Sequence, residues 1–382
     1  MDFGFYLPTK ILFGRGKISE VGLHAKELGR RALIVTGKSS AKKTGNLEKL
    51  VRSLGENGIE WILFDKVKYN PFTTDIDEGG AFAKENKVDL VIGLGGGTAM
   101  DTAKGIAFAA LNDGPMADYM EGKSGEKALP IILIPTTAGT GSEANNIAVM
   151  TNPYTMAKKG FRNPSIFARV SIVDPELMDS MPPKITASTG IDAFFHALES
   201  YISLRSNPLT ESISLKAMEL ISESIKKAIY EPDKESRDKM ALASTMAGIS
   251  LGQAGVCALH AMEHPLSSYF NAHHGEGLAP LAEAFLNFVK PYVFEKLAKV
   301  AEVMKIDTAN LSKEQAAEKT IDAIVGMIKD LGLPESISTF GVKKEDIQKL
   351  ASNVKDYMAH NLSATPGNLT FEDILKIYEE SM

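Results

Sequence analysis

Five of the seven histidines fall in the second half of the chain before residue 280: His196, His260, His264, His273 and His274. In Gly190-Ile191-Asp192-Ala193-Phe194-Phe195-His196-Ala197-Leu198-Glu199, Asp192 and His196 stand four apart, which is one face of a helix. His260 and His264 repeat that spacing in Leu259-His260-Ala261-Met262-Glu263-His264-Pro265, and Ala272-His273-His274-Gly275 follows. A carboxylate and an imidazole on one helix, with two imidazoles from a later helix and the turn beyond it, form an N/O donor set that can hold a divalent ion with a position left open. Each pair alone has a plainer reading as satisfied polar side chains, or, for Asp192, as a helix-start residue. Together amid apolar helices they are costly to bury without a common ligand. Spacing leaves open which of His260, His264, His273 and His274 would join Asp192 and His196.

A second group of residues is suited to phosphate. An apolar run ending near Leu94 leads into Gly95-Gly96-Gly97-Thr98-Ala99-Met100-Asp101. Three glycines let the backbone approach a ligand, and a helix starting near Thr98 would turn its free N–H groups toward a diphosphate. The pattern is neither GxGxxG nor a P-loop. Another strand end carries Thr136-Thr137-Ala138-Gly139-Thr140-Gly141-Ser142. As a bare loop it would only cap a helix. Two such loops from one sheet instead predict a dinucleotide site in which Thr137 and Thr140 bond ribose or phosphate. A third strand end, Thr36-Gly37-Lys38-Ser39-Ser40, lacks the carboxylate that an NAD-preferring site offers to the adenosine ribose. Gly37, the hydroxyls of Ser39 and Ser40, and Lys38 leave room and donors for the 2′-phosphate of NADP.

The elements that must position these groups follow from periodicity. Strands are predicted at residues 31–36, 61–64, 89–94, 129–136 and 169–174, with helices over 39–57 and 74–85 and a turn at Asn70-Pro71. This βαβα order implies a parallel sheet with helices on both faces. Beyond about Pro183 the apolar period becomes three to four residues, over 187–204, 208–230, 234–262, 277–304, 313–331 and 368–380. The predicted organisation is an α/β, Rossmann-like domain with a parallel sheet at residues 1–180, followed by an all-helical domain at 181–382 that carries the metal and substrate residues.

A chain of 382 residues suits two domains and a cleft for a small molecule. The net charge of −6, with scattered lysines, disfavours nucleic acid and anionic membrane as partners. The segment MDFGFYLPTKILFGRGK does not read as a leader, and no apolar run approaches a membrane span, so a cytoplasmic location is expected. The single cysteine, Cys257, excludes an intrachain disulfide and any site of several thiolates. It is read as a small core residue. A homodimer is the default assembly.

KILFGRGK near the start, GGGTAMDTAK, IPTTAGTGSE, TGIDAFFHALESY, ALHAMEHPL and the HG at 274–275 together resemble the iron-containing, or group III, alcohol dehydrogenases over nearly the whole chain. The resemblance implies a Rossmann-like domain, a helical domain and a divalent ion in the cleft between them. It would place the metal ligands on Asp192, His196, His260 and His274. Cofactor contacts would fall on Gly37, Asn70, Gly95 to Thr98 with Asp101, Thr136 to Thr140, and one of Lys158 and Lys159. Many members, notably the NAD-preferring ones, carry aspartate where this chain has Gly37, which favours NADP over NAD.

The implied reaction moves a hydride between a primary alcohol or aldehyde and NAD(P). Fe²⁺ is the favoured metal and Zn²⁺ the alternative, and the ion polarises the substrate oxygen. His264, one turn beyond His260, is the candidate catalytic proton relay, with pocket lining as its plainer role. His273 is expected to point away, and Glu199 is either a partner of a ligand or a solvated residue. The competing readings are a zinc-dependent glycerol or polyol dehydrogenase, a lyase of the dehydroquinate synthase type, which would need basic residues absent from the His196 and His260 segments, and a nucleotide- or metal-binding protein without turnover.

Overall fold

The computed structural model describes residues 2–382. The chain divides between Met181 and Pro182 into two compact units, the second of which also takes in the first residues as far as Phe5.

In the first unit six strands form one fully parallel sheet: β1 (Lys10–Phe13), β2 (Arg31–Gly37), β3 (Glu60–Val67), β4 (Leu90–Gly95), β5 (Ile131–Pro135) and β8 (Val170–Val173), in the order β1-β8-β5-β4-β2-β3. A hairpin of β6 (Ile147–Thr151) and β7 (Lys158–Arg162) stands apart as an antiparallel pair. β4 and β5 are near-continuous runs of buried aliphatic residues because both sheet faces are covered. Leu33, Val35, Val91 and Leu133 face one core with the helices Thr73–Glu85 and Gly97–Ala109. Ala32, Ile34, Ile92 and Ile134 face the other with Leu50 and Leu54 of the helix Asn46–Glu56.

The chain leaves β2 toward β3 on one side and returns to β4 on the other, so β2 and β4 flank the point where strand order reverses. Ligands of open α/β sheets bind beyond the carboxyl ends of strands at such a point. Those ends are Gly37 and Gly95, and Pro135 of β5 pairs in register with Gly95.

The second unit is helical, as its periodicity predicts. Three of the predicted helical stretches are interrupted; in 277–304 the break falls at Val293, whose φ of −138° is not helical. The stretch 39–57 breaks at Gly45, whose φ of 74° requires a residue without Cβ strain. The stretch 234–262 is two helices, Lys234–Ala254 and Ala258–Phe270, bent by 106° at a break where Gly255 has φ 73°. Among the described residues no single helix is long and apolar enough to cross a membrane.

Candidate metal centre and dinucleotide loops

Pro183 opens the helix Pro183–Ile202, where its fixed φ fits the first turn, and from Gly190 to the end every residue of that helix is buried. Asp192, His196 and Glu199 therefore share one inward face. The break after Ala254 is fastened to this helix: Ser203 Oγ donates to the Ala254 carbonyl at 2.9 Å and Ser200 Oγ to that of Gly255 at 3.0 Å. The next helix leaves in a direction that stacks His260 on His196, with ring centroids 4.4 Å apart and planes 26° from parallel. His274 comes from beyond Asn271, whose left-handed φ of 55° ends that helix. Gly275 then lies so close to the Ser188 carbonyl oxygen that a Cβ would meet it at 1.9 Å.

These elements bring one donor atom from each of Asp192, His196, His260 and His274 within 4.8 Å of one another. Asp192 Oδ1 stands 3.5 Å from His196 Nδ1, 3.5 Å from His260 Nε2 and 3.6 Å from His274 Nε2. Ligands held at roughly 2.0 to 2.2 Å on a tetrahedral ion are separated by about 3.4 Å, so the spacing suits a shared cation better than direct hydrogen bonds. Asp192 Oδ1 and His260 Nε2 are buried and make no hydrogen bond, a cost of roughly 1 to 3 kcal/mol per atom that a cation bound by both would remove. The donor set fits a divalent metal.

Two further carboxylates aim the imidazoles. Glu199, fully buried, takes His260 Nδ1 on Oε2, and Glu263, also fully buried, takes His274 Nδ1 on Oε2 and the Ser267 hydroxyl on Oε1. Each pairing fixes the proton on Nδ1 and turns the Nε2 lone pair toward Asp192, the carboxylate–histidine arrangement that raises ligand basicity. Glu199 is thus the partner of a candidate ligand and not a solvated residue. Glu263 escaped the sequence reading; an acidic residue inside the apolar segment ALHAMEHPL was its signal. Burial would raise the Asp192 carboxyl, but the imidazoles of His196, His274 and His260 outweigh it and hold the group well below the usual carboxylate range. Burial would lower His260, yet Glu199 and Asp192 push it up to about 10. The cluster attracts positive charge.

His264 is buried one turn from His260, with its ring 5.6 Å from that of His274, and it shares a second cluster with Glu263 and His274. His273 is exposed at the start of the His274–Leu278 helix, outside both clusters. Cys257 is fully buried, and burial pushes its thiol up.

The dinucleotide candidates lie in the first unit. Gly95 has φ 154°, and the helix Gly97–Ala109 begins without a side-chain cap, which leaves the N–H groups of Gly97 and Thr98 to a ligand, whereas Ala99 N already donates to the Gly96 carbonyl at 3.0 Å. The glycine turn and the Thr136–Ser142 loop touch: a Cβ on Gly96 would meet Thr137 Oγ1 at 3.0 Å, and one on Gly97 would meet Thr140 Cγ2 at 2.4 Å. Thr136 N donates to the Gly95 carbonyl at 2.9 Å. Asp101 is turned inward: Oδ1 accepts from Ser142 Oγ at 2.6 Å and Oδ2 from Val149 N at 3.0 Å. Strand alternation separates the two lysines of β7: Lys158 is buried and its charge reaches Asp101, whereas Lys159 pairs with Glu121 at 3.0 Å. Asn70 takes a left-handed φ of 51° before Pro71, whose carbonyl accepts from Thr151 N of β6. At the end of β2, Lys38, Ser39 and Ser40 are exposed, and a Cβ on Gly37 would meet nothing within 4 Å.

Comparison with known proteins matches the whole of this architecture. Residues 8–175 fit the family of iron-containing alcohol dehydrogenases and residues 186–382 the C-terminal part of the same family. The chain is 34% identical over 384 residues to the NAD-dependent methanol dehydrogenase of Bacillus methanolicus, covering 99% of each. It is 36% identical over 353 residues to 1,3-propanediol dehydrogenase of Klebsiella pneumoniae, covering 91% of each. The solved structure of an archaeal halo-thermophilic alcohol dehydrogenase from a Red Sea brine pool superposes with a TM-score of 0.95 at 33% identity, covering 100% of this chain and 99% of that one. The chain belongs to the iron-containing alcohol dehydrogenase family.

Proposed function

We propose that the protein interconverts primary alcohols and aldehydes with NADP(H) preferred over NAD(H), using Fe²⁺ held by Asp192, His196, His260 and His274. The observation that carries this reading is the convergence of four donor atoms on a buried point where Asp192 Oδ1 and His260 Nε2 have no hydrogen bond. A divalent ion bound there supplies Lewis-acid polarisation of the substrate oxygen. Glu199 and Glu263 hold two imidazoles in the tautomer that faces it. Thr98 and the glycines at 95–97 bind the diphosphate through backbone N–H groups, Thr136, Thr137 and Thr140 take the neighbouring hydroxyls, and Lys158, not Lys159, faces the cofactor loops. Hydride exchange at nicotinamide C4 is the cofactor's own chemistry. His264 holds and passes the substrate hydroxyl proton. The active assembly is a homodimer, and the protein works in the cytoplasm.

NADP preference rests on Gly37. Space for a side chain exists there, so packing does not account for the missing carboxylate, and Lys38, Ser39 and Ser40 beside it are free to meet a 2′-phosphate. The test is butanal reduction without oxygen by metal-free protein restored with Fe²⁺ or Zn²⁺, using NADPH and NADH in parallel. The expected result is Fe²⁺-dependent turnover favouring NADPH, with Gly37→Asp shifting the cofactor ratio toward NADH by roughly tenfold, about 1.4 kcal/mol. Equal or faster NADH turnover in the wild type overturns the preference. Turnover that ignores added metal overturns the metal role.

A further inference from the structure

Lys104 is a charged side chain fully removed from solvent in the middle of the helix Gly97–Ala109. Its Nζ donates to Ser142 Oγ at 2.8 Å, to the Ile147 carbonyl at 2.7 Å and to Asn145 Oδ1 at 3.2 Å. Three residues earlier on the same face, Asp101 accepts from that same Ser142 hydroxyl and from Val149 N. Asn145 Oδ1 also accepts from Ile147 N at 3.0 Å. One turn of helix therefore grips everything from Ser142 to Val149 through a closed polar network inside an apolar core, where an incomplete network would be strongly unfavourable. The same helix begins at the glycine turn, whose Gly96 and Gly97 lie against Thr137 and Thr140.

We propose that Asp101 and Lys104 are positioning residues that lock the Thr136–Ser142 loop against the glycine turn, so that the two halves of the dinucleotide meet a fixed pair of loops. The inference rests on the reading that these loops bind the dinucleotide. It gives Asp101 a role through Ser142 and the β6 backbone instead of a contact with the cofactor. Ser142 is the hinge of the network, since its hydroxyl donates to Asp101 while accepting from Lys104. Burial pushes Lys104 down to about 8 against the opposing pull of Asp101 and Glu143, so the ammonium stays mostly charged near neutrality.

The experiment compares binding of ADP, which presents only the diphosphate half, with binding of intact NADPH and NADH to the metal-loaded protein, for wild type, Ser142→Ala and Lys104→Met. In Ser142→Ala the expected result is ADP affinity within twofold of wild type, dinucleotide affinity lowered roughly tenfold, and KM for the dinucleotide raised with kcat nearly unchanged. Lys104→Met should move in the same direction and further; should it fail to fold, Ser142→Ala carries the test alone. Dinucleotide affinity unchanged in Ser142→Ala, or ADP and dinucleotide weakened equally, overturns the proposal. Wild-type protein that binds neither ADP nor dinucleotide overturns the cofactor reading itself, and the positioning role with it.

Discussion

The glycine loops of the first unit and the histidine cluster of the second are built on opposite principles. The loops present backbone, and their key residues are the ones with least side chain: a Cβ on Gly97 would strike Thr140, and one on Gly96 would crowd Thr137. The cluster presents side chains, and two of its imidazoles, those of His260 and His274, have a carboxylate behind them. A backbone site is damaged by adding atoms. A side-chain site is damaged mainly by removing them, and the second unit contains a position where added atoms also reach a ligand candidate.

That position is Gly275. Alanine there would drive a methyl into the Ser188 carbonyl, shifting the chain that delivers His274. Gly275→Ala should lower the unfolding free energy by about 3 kcal/mol, measured by denaturant unfolding, and should lose metal as well. Stability near wild type would show that the helix Pro183–Ile202 and the His274 turn are less tightly joined. A smaller and more selective effect is expected of Glu263→Gln, which keeps the shape but removes the charge behind His274. Its metal affinity should fall roughly 10- to 100-fold with the fold intact. An unchanged affinity in a chelator competition would mean that His274 is aimed by its backbone alone.

Much of this is legible in the sequence alone. The 3.6-residue period places Asp192, His196 and Glu199 on one face, and the apolar β-branched runs identify the parallel strands. Less legible were features set by tertiary contacts. The break at residues 255–257 interrupts a pattern that reads as one helix, because Ser200 and Ser203 from another helix satisfy its backbone. Periodicity does not reveal the β6–β7 hairpin, whose strands lie outside the six-stranded sheet. Glu263 sits eleven residues before the histidine it supports, across a turn whose left-handed Asn271 periodicity cannot foresee. Asp101 was recognised as special, but residue type alone cannot say whether a carboxylate after a glycine turn faces a ligand or, as here, Ser142 and Val149.

Turnover is expected to depend on a metal held by the Asp192 cluster. The most direct measurement is an anaerobic Fe²⁺ titration of metal-free wild type and Asp192→Asn, with bound metal and aldehyde reduction read from the same samples. One ion per chain is expected in the wild type with turnover rising in proportion, and in Asp192→Asn a metal affinity lowered at least about 100-fold with turnover reduced roughly 1000-fold. Full turnover in metal-free wild type, or Asp192→Asn that binds Fe²⁺ and reduces aldehyde like the wild type, would contradict that dependence.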